Sequence, residues 1–305
     1  MMKEKTAILE TQPAKSINAV NTVTIGDKMR SYLKNPASFI MMIFVMLAAF
    51  VTFAALLFII CYVLIKGVPN LTPSLFAWEY NTENVSMLPS IINTLIMTVV
   101  SLVIAIPLGL FTAIYLVEYS GKNNSKIVQI IRLTTETLSG IPSIVYGLFG
   151  MLFFVTALHW GYSILAGAFT MSIMILPLIM RTAEEALLAV SDSFREASYG
   201  LGAGKLRTIF KIVLPSAMPG IAAGIILAIG RIVGETAALM YTSGTVAEIP
   251  SSLMSSGRTL ALHMYALSSE GLYEDQAYAT AVVLLVFVLL INTLSSFIAR
   301  KLTKS

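Results

Sequence analysis

Six apolar stretches, each long enough to cross a bilayer as a helix, constrain this chain more than any other feature. They run over Phe39–Ile65, Leu88–Val117, Leu138–Leu158, Tyr162–Met180, Ala217–Tyr241 and Ala277–Ala299. A crossing takes about 20 predominantly apolar residues. In lipid every backbone polar group must be satisfied internally, so such segments are helical. The pattern predicts an all-α membrane protein with six transmembrane helices. Composition agrees: 57% of residues are hydrophobic and 12% charged, against roughly 25% charged in a soluble domain. Pro107 and Gly109 lie inside the second stretch, where a kink or tilt is expected. The first stretch is too long for a cleaved signal, and 38 residues precede it.

The basic residues orient the chain. Seventeen of the 20 Lys/Arg fall on one side, two (Lys66 and Arg258) on the other, and Arg231 lies inside the fifth stretch. The richer side is cytoplasmic. Both termini are therefore expected there, in a multi-pass bacterial plasma (inner) membrane protein. Residues 1–37 read as a cytoplasmic arm and 38–305 as one membrane domain. The single cysteine, Cys61, has no partner for an internal disulfide, and His159 and His263 are far apart in sequence. No metal-ligand spacing occurs.

Loops carry the remaining information. Residues 118–137 read as an amphipathic helix with Ile127, Ile130, Ile131 and Thr134 at helical spacing. His159-Trp160-Gly161 makes a very short turn, so its flanking helices are antiparallel neighbours. On the far side, Lys66–Met87 is expected at the interface. The stripe Leu260, Leu262, Met264, Tyr265 and Leu267 fits either an interfacial segment or a contact with an extracytoplasmic protein.

From Arg181 to Lys211 the chain turns polar, with five Lys/Arg and four acids. Thr182–Tyr199 favours helix, broken at Ser191-Asp192-Ser193, where a fresh N-cap is available. Gly200, Gly202 and Gly204 permit a sharp turn. A third helical piece, Lys205–Val213, is expected to stop or bend near Pro215. Neither Gly204-Lys205-Leu206 nor Gly121-Lys122-Asn123 meets the phosphate-loop pattern, so ATP chemistry is not expected from this chain.

Glu196-Ala197-Ser198, three residues, Gly202, nine residues, then Ile212-x-Leu214-Pro215 resembles the EAA loop of ABC-importer permeases. Ser198 stands where that family usually has Ala, a change expected to leave packing unaltered. The resemblance implies a type I ABC-importer permease architecture. It makes residues 181–215 a cytoplasmic coupling loop seated on an ATPase subunit. Glu196 would support the turn or pair with a partner's cation, Gly202 would allow the reversal, and Leu214 and Pro215 would fix the return to the membrane.

Arg231 and Glu235, four apart in the fifth stretch, are expected to share a helical face and pair. A charge at the bilayer centre costs roughly 2.5–3.5 kcal/mol on insertion scales and usually faces a cavity or partner. The two Gly-x3-Gly pairs on this stretch, Gly220/Gly224 and Gly230/Gly234, suit close helix packing. The run Arg231-x-x-Gly234-Glu235-Thr236-Ala237 is similar to permeases of phosphate importers of the PstA type. So are Leu138–Gly150, Ser163–Ala168 and Arg181–Leu187; together these cover the core over roughly residues 85–300. The resemblance implies a substrate pathway at Arg231, Glu235 and Thr236. It implies a heterodimer with a second permease, two ATPase subunits carrying ATP and Mg²⁺, and an extracytoplasmic phosphate-binding protein. No cofactor is expected on this chain. Two alternatives are a permease of the same fold for molybdate or sulfate, and an ATP-independent secondary transporter or channel.

Overall fold

The computed structural model describes residues 36–120 and 126–302; the expected arm over 1–37 lies almost wholly outside them. The helices are α1 (Pro36–Gly67), α2 (Leu88–Ile114), α3 (Lys126–Ser139), α4 (Ser143–Gly150), α5 (Ile164–Leu188), α6 (Asp192–Gly200), α7 (Lys205–Thr208), α8 (Leu214–Gly234), α9 (Ala237–Met240), α10 (Leu260–Glu270) and α11 (Glu274–Leu302). Wider π-helical turns extend α2 (Tyr115–Tyr119) and α4 (Met151–Ala157), and another (Ile209–Val213) joins α7 to α8. No strand occurs among the described residues.

Five helical stretches are long and apolar enough to cross a membrane. A sixth is reached by counting α3 with α4 and its extension, a pair bent by 103°. The third apolar stretch is therefore not one helix from Leu138. Gly140-Ile141-Pro142 interrupts it, and a helix restarts at Ser143, because Pro142 holds extended backbone angles. The Tyr146 hydroxyl donates to the Leu138 carbonyl across the break at 2.7 Å. In α3, Val128 turns inward while Ile127 and Ile130 stay exposed.

The chain divides into two units, Met1–Cys61 and Tyr62–Ser305. In the first, α1 leaves large apolar side chains exposed, among them Phe44, Phe50 and Phe53. In the second, α5 is central and packs against both α2 and α8. Met171, Met174, Ile175 and Ile179 are buried with Met97 and Ala105 of α2 and Ala228 and Ile232 of α8. Lipid is as apolar as these side chains, so close packing holds the helices together. Gly220 and Gly224 serve that packing inside the chain: a Cβ on either would collide with Ala186 or Thr182 of α5. Gly230 and Gly234 face open space instead.

The end of this unit opposite the polar loop has its own small core. Leu260 packs with Leu75, Met87 and Ala279, and Leu262 and Leu267 are also buried. Most of the stripe on α10 is thus used up within the fold, and only Tyr265 of those five is exposed. The segment Lys66–Met87 likewise contributes buried Leu75, Val85 and Met87.

Beside this core, Tyr80 lies between two buried side chains. Arg258, 4% exposed, sits 5.1 Å over its ring, and His263 meets the ring edge-on with centroids 6.1 Å apart. Neither nitrogen of His263 has a hydrogen-bond partner of good geometry. Burial, and then the Arg258 charge, push its pKa from 6.5 down to about 3, with the Val85 backbone opposing weakly. The unfolded chain therefore binds a proton that the folded chain refuses, and stability falls as pH drops from about 6.5 towards 3. At its limit the effect is roughly 4–5 kcal/mol. Thermal unfolding measured across that window should show the slope, and His263→Leu should flatten it.

Candidate functional site

The fifth stretch is broken where its charges lie. α8 ends at Gly234, and Glu235 is extended (φ −74°, ψ 131°). α9 begins two residues later, after Thr236 (φ −121°, ψ −53°). The expected Arg231–Glu235 pair does not form, because spacing by four aligns side chains only on a continuous helix. Glu235 does something else: its Oε1 accepts from the Ala238 N–H at 3.1 Å and caps α9. Such a cap satisfies a backbone donor that has no helical partner. Ion pairs among the described residues are Arg132–Glu184, Arg181–Glu185, Arg195–Glu118 and Arg195–Asp192. Arg231 is in none of them, and its electrostatic neighbour is Tyr146 of α4.

Arg231, Glu235 and Thr236 are all partly exposed, beside the open Gly230 and Gly234. Behind them α9 is pressed against α4. A Cβ on Gly147 would stand 2.7 Å from Ala238 Cα and 3.1 Å from its carbonyl oxygen. The arrangement presents a guanidinium, a carboxylate and a hydroxyl-bearing residue at a helix break, on a face that this chain leaves open. Arginine's planar fork can bind a tetrahedral oxyanion in a bidentate manner, and it keeps its charge when desolvated.

At the other site, the polar loop folds as a helix–turn–helix. The Ser191 hydroxyl accepts from Ser193 N at 3.4 Å and caps α6, as expected. Glu196 and Ala197 are exposed on α6. Gly202 has φ +80°, a backbone region that glycine enters without strain, and so makes the reversal. Ile212 lies in the π turn, and Leu214 and Pro215 open α8. The chain does not stop at Pro215. It stays helical from Lys205 to Gly234, the wide turn absorbing the proline at the start of α8.

Ser198 does more than fill the place of an alanine. It is buried, and its hydroxyl makes a 2.8 Å hydrogen bond with that of buried Thr208. Thr208 gave no sign of this in the sequence, since the contact is tertiary. Leu201, 90% exposed at the tip, was also missed, although an apolar residue among three glycines is a signal that could have found it. No group of three or more metal-ligand side chains occurs among the described residues.

Comparison with known proteins is consistent with this geometry. A "Probable ABC transporter permease protein YqgI" of Bacillus subtilis (strain 168) is 32% identical, over 84% of this chain and 94% of its own. A "Phosphate transport system permease protein PstA" of Pasteurella multocida (strain Pm70) is 34% identical, over 77% of this chain and 86% of its own. A longer PstA homolog of Mycoplasma pneumoniae, 34% identical, is spanned over 39% of its length. Among solved structures, a bacterial alginate ABC transporter contains a chain that superposes with a TM-score of 0.57, over 84% of this chain and 96% of that one, at 17% identity. That likeness establishes a shared fold. Residues 105–305 fit the family described as "Binding-protein-dependent transport system inner membrane component", and to that family of multi-pass membrane permeases this chain belongs.

Proposed function

We propose that the chain is the permease subunit of an ATP-driven importer of inorganic phosphate and forms half of its translocation pathway. The observation that carries this reading is Arg231, unpaired by any carboxylate among the described residues, on an open face at a helix break. An arginine without a carboxylate partner there is a receptor for an oxyanion, and the open face with Gly230 and Gly234 is where a second permease would complete the pathway. The likeness to phosphate permeases supports phosphate over other oxyanions. Glu235 and Thr236 flank the route, and the carboxylate would keep binding weak enough for release.

On this reading Glu196–Pro215 is the coupling segment, lies in the cytoplasm with both termini, and seats on an ATPase subunit, with Leu201 foremost. ATP and Mg²⁺ are held by two such subunits, and phosphate arrives on an extracytoplasmic binding protein. A secondary carrier would also use a discontinuous helix, and one exists here at Glu235–Thr236. Membership of a binding-protein-dependent family favours the ATP-driven reading. The test is uptake of labelled phosphate by the purified complex in vesicles. Uptake should require ATP and a co-purifying ATPase, and excess sulfate or molybdate should not compete. Uptake without ATP, or equal competition by those anions, would overturn the assignment.

A further inference from the structure

The polar loop is fastened to the end of one long helix by contacts that its motif does not contain. Arg195 directs all its N–H groups at protein oxygens. Its Nε and Nη2 donate to Glu118 Oε1 at 3.0 and 2.8 Å. Its Nη1 donates to the Val190 carbonyl at 2.7 Å and to Asp192 Oδ1 at 3.1 Å, and Nη2 also reaches the Leu187 carbonyl at 2.9 Å. Glu118 belongs to the π turn that ends α2, and its side chain is 5% exposed. The next residue, Tyr119, carries the Lys205 ammonium of α7 over its ring, 4.4 Å from the centroid.

Two consecutive residues at the end of α2 are thus held by one cation from each helix of the loop. The loop helices are joined to each other by Ser198 and Thr208. An exposed ion pair would be too weak and mobile to transmit a displacement. This one is nearly buried, and its arginine leaves no N–H without an acceptor, which fixes the guanidinium in place.

We propose that Arg195 and Glu118 form a strut locking the loop to the end of α2, so that the two move as one body when the loop is pushed. Lys205 on Tyr119 is the second, weaker fastening. Arg195 is a positioning residue: it touches no substrate and conveys the loop's displacement to the membrane helix that packs most directly on α5. The inference rests on the reading of the loop as the coupling segment.

The test uses the complete reconstituted complex and reads phosphate moved per ATP hydrolysed. In a Cys61→Ser background, Glu118→Cys and Arg195→Cys are combined, then joined by a short bismaleimide. Unjoined, the complex should hydrolyse ATP while phosphate moved per ATP falls at least fivefold. Joining should restore the ratio to within twofold of the parent, which a merely structural role would not do. An unchanged ratio before joining, or arrested transport after it, overturns the strut. Should the double variant fail to assemble, Glu118→Gln, close in shape, is read instead: a ratio lowered at least twofold supports the proposal and an unchanged ratio overturns it. A parent complex that moves sulfate or molybdate in place of phosphate refutes the cargo assignment only, and the same ratio is then read with that anion.

Discussion

Arg231→Ala should lower phosphate uptake steeply while leaving the complex assembled. The side chain is partly exposed on an open face and makes no ion pair among the described residues, so its removal strands no buried partner. What is lost is the charge that meets the anion. Truncating one member of a hydrogen-bonded charge pair costs about 2–5 kcal/mol, and each 1.4 kcal/mol is about tenfold. Uptake efficiency should therefore fall at least about 30-fold, with an unchanged elution profile of the purified complex. Arg231→Lys should recover only part of it, because an ammonium cannot offer a planar fork. Glu235→Gln separates two roles. The amide oxygen can still accept from Ala238 N–H, so α9 stays capped, whereas the negative charge is gone. Bound phosphate should then be retained longer and turnover slowed. Wild-type uptake by Arg231→Ala would place the anion elsewhere in the molecule.

The helical elements were legible because lipid leaves a backbone few choices: long apolar stretches become helices whatever their side chains do later. The polar loop was legible for a different reason. Ser191, Gly202 and the run to Pro215 act through local backbone geometry, and local geometry is written locally. Two errors share one cause. Pairing Arg231 with Glu235 assumed a continuous helix, and Gly234 followed by a carboxylate that caps Ala238 ends it. The third stretch was read through Gly140 and Pro142 although both residues interrupt helices, because apolarity outweighed punctuation. Glu118 and Thr208 could not be assigned at all. Their partners, Arg195 and Ser198, lie 77 and 10 residues away, and no periodicity brings such pairs together.

Gly147→Ala should weaken the complex out of proportion to the single methyl it adds, and Gly147→Val more so. At a crowded position such as Gly167, a new Cβ would first meet the end of a flexible side chain, Met97 Cε at 2.7 Å, which can move. At Gly147 it would meet backbone: Ala238 Cα at 2.7 Å, with the carbonyl oxygens of Ala238 and Ala237 at 3.1 and 3.3 Å. Relief requires α4 and α9 to separate as units. Overpacking of this kind costs about 1–3 kcal/mol, and a backbone contact belongs at the upper end. Gly140→Ala is the control, since its Cβ would find only ordinary contacts, the nearest at 3.6 Å. The thermal midpoint of the purified complex should drop for Gly147→Ala and stay near the parent's for Gly140→Ala. The displacement also reaches the site. α9 begins two residues after Glu235's peptide, and Glu235 is tied to Ala238 by its cap, so pushing Ala238 away from α4 moves the carboxylate relative to Arg231, whose neighbour Tyr146 adjoins Gly147. Uptake should therefore fall further than the loss of folded complex explains. If uptake per folded complex is unchanged, the close approach of α4 to α9 supports the fold alone and leaves the placing of Glu235 to other contacts.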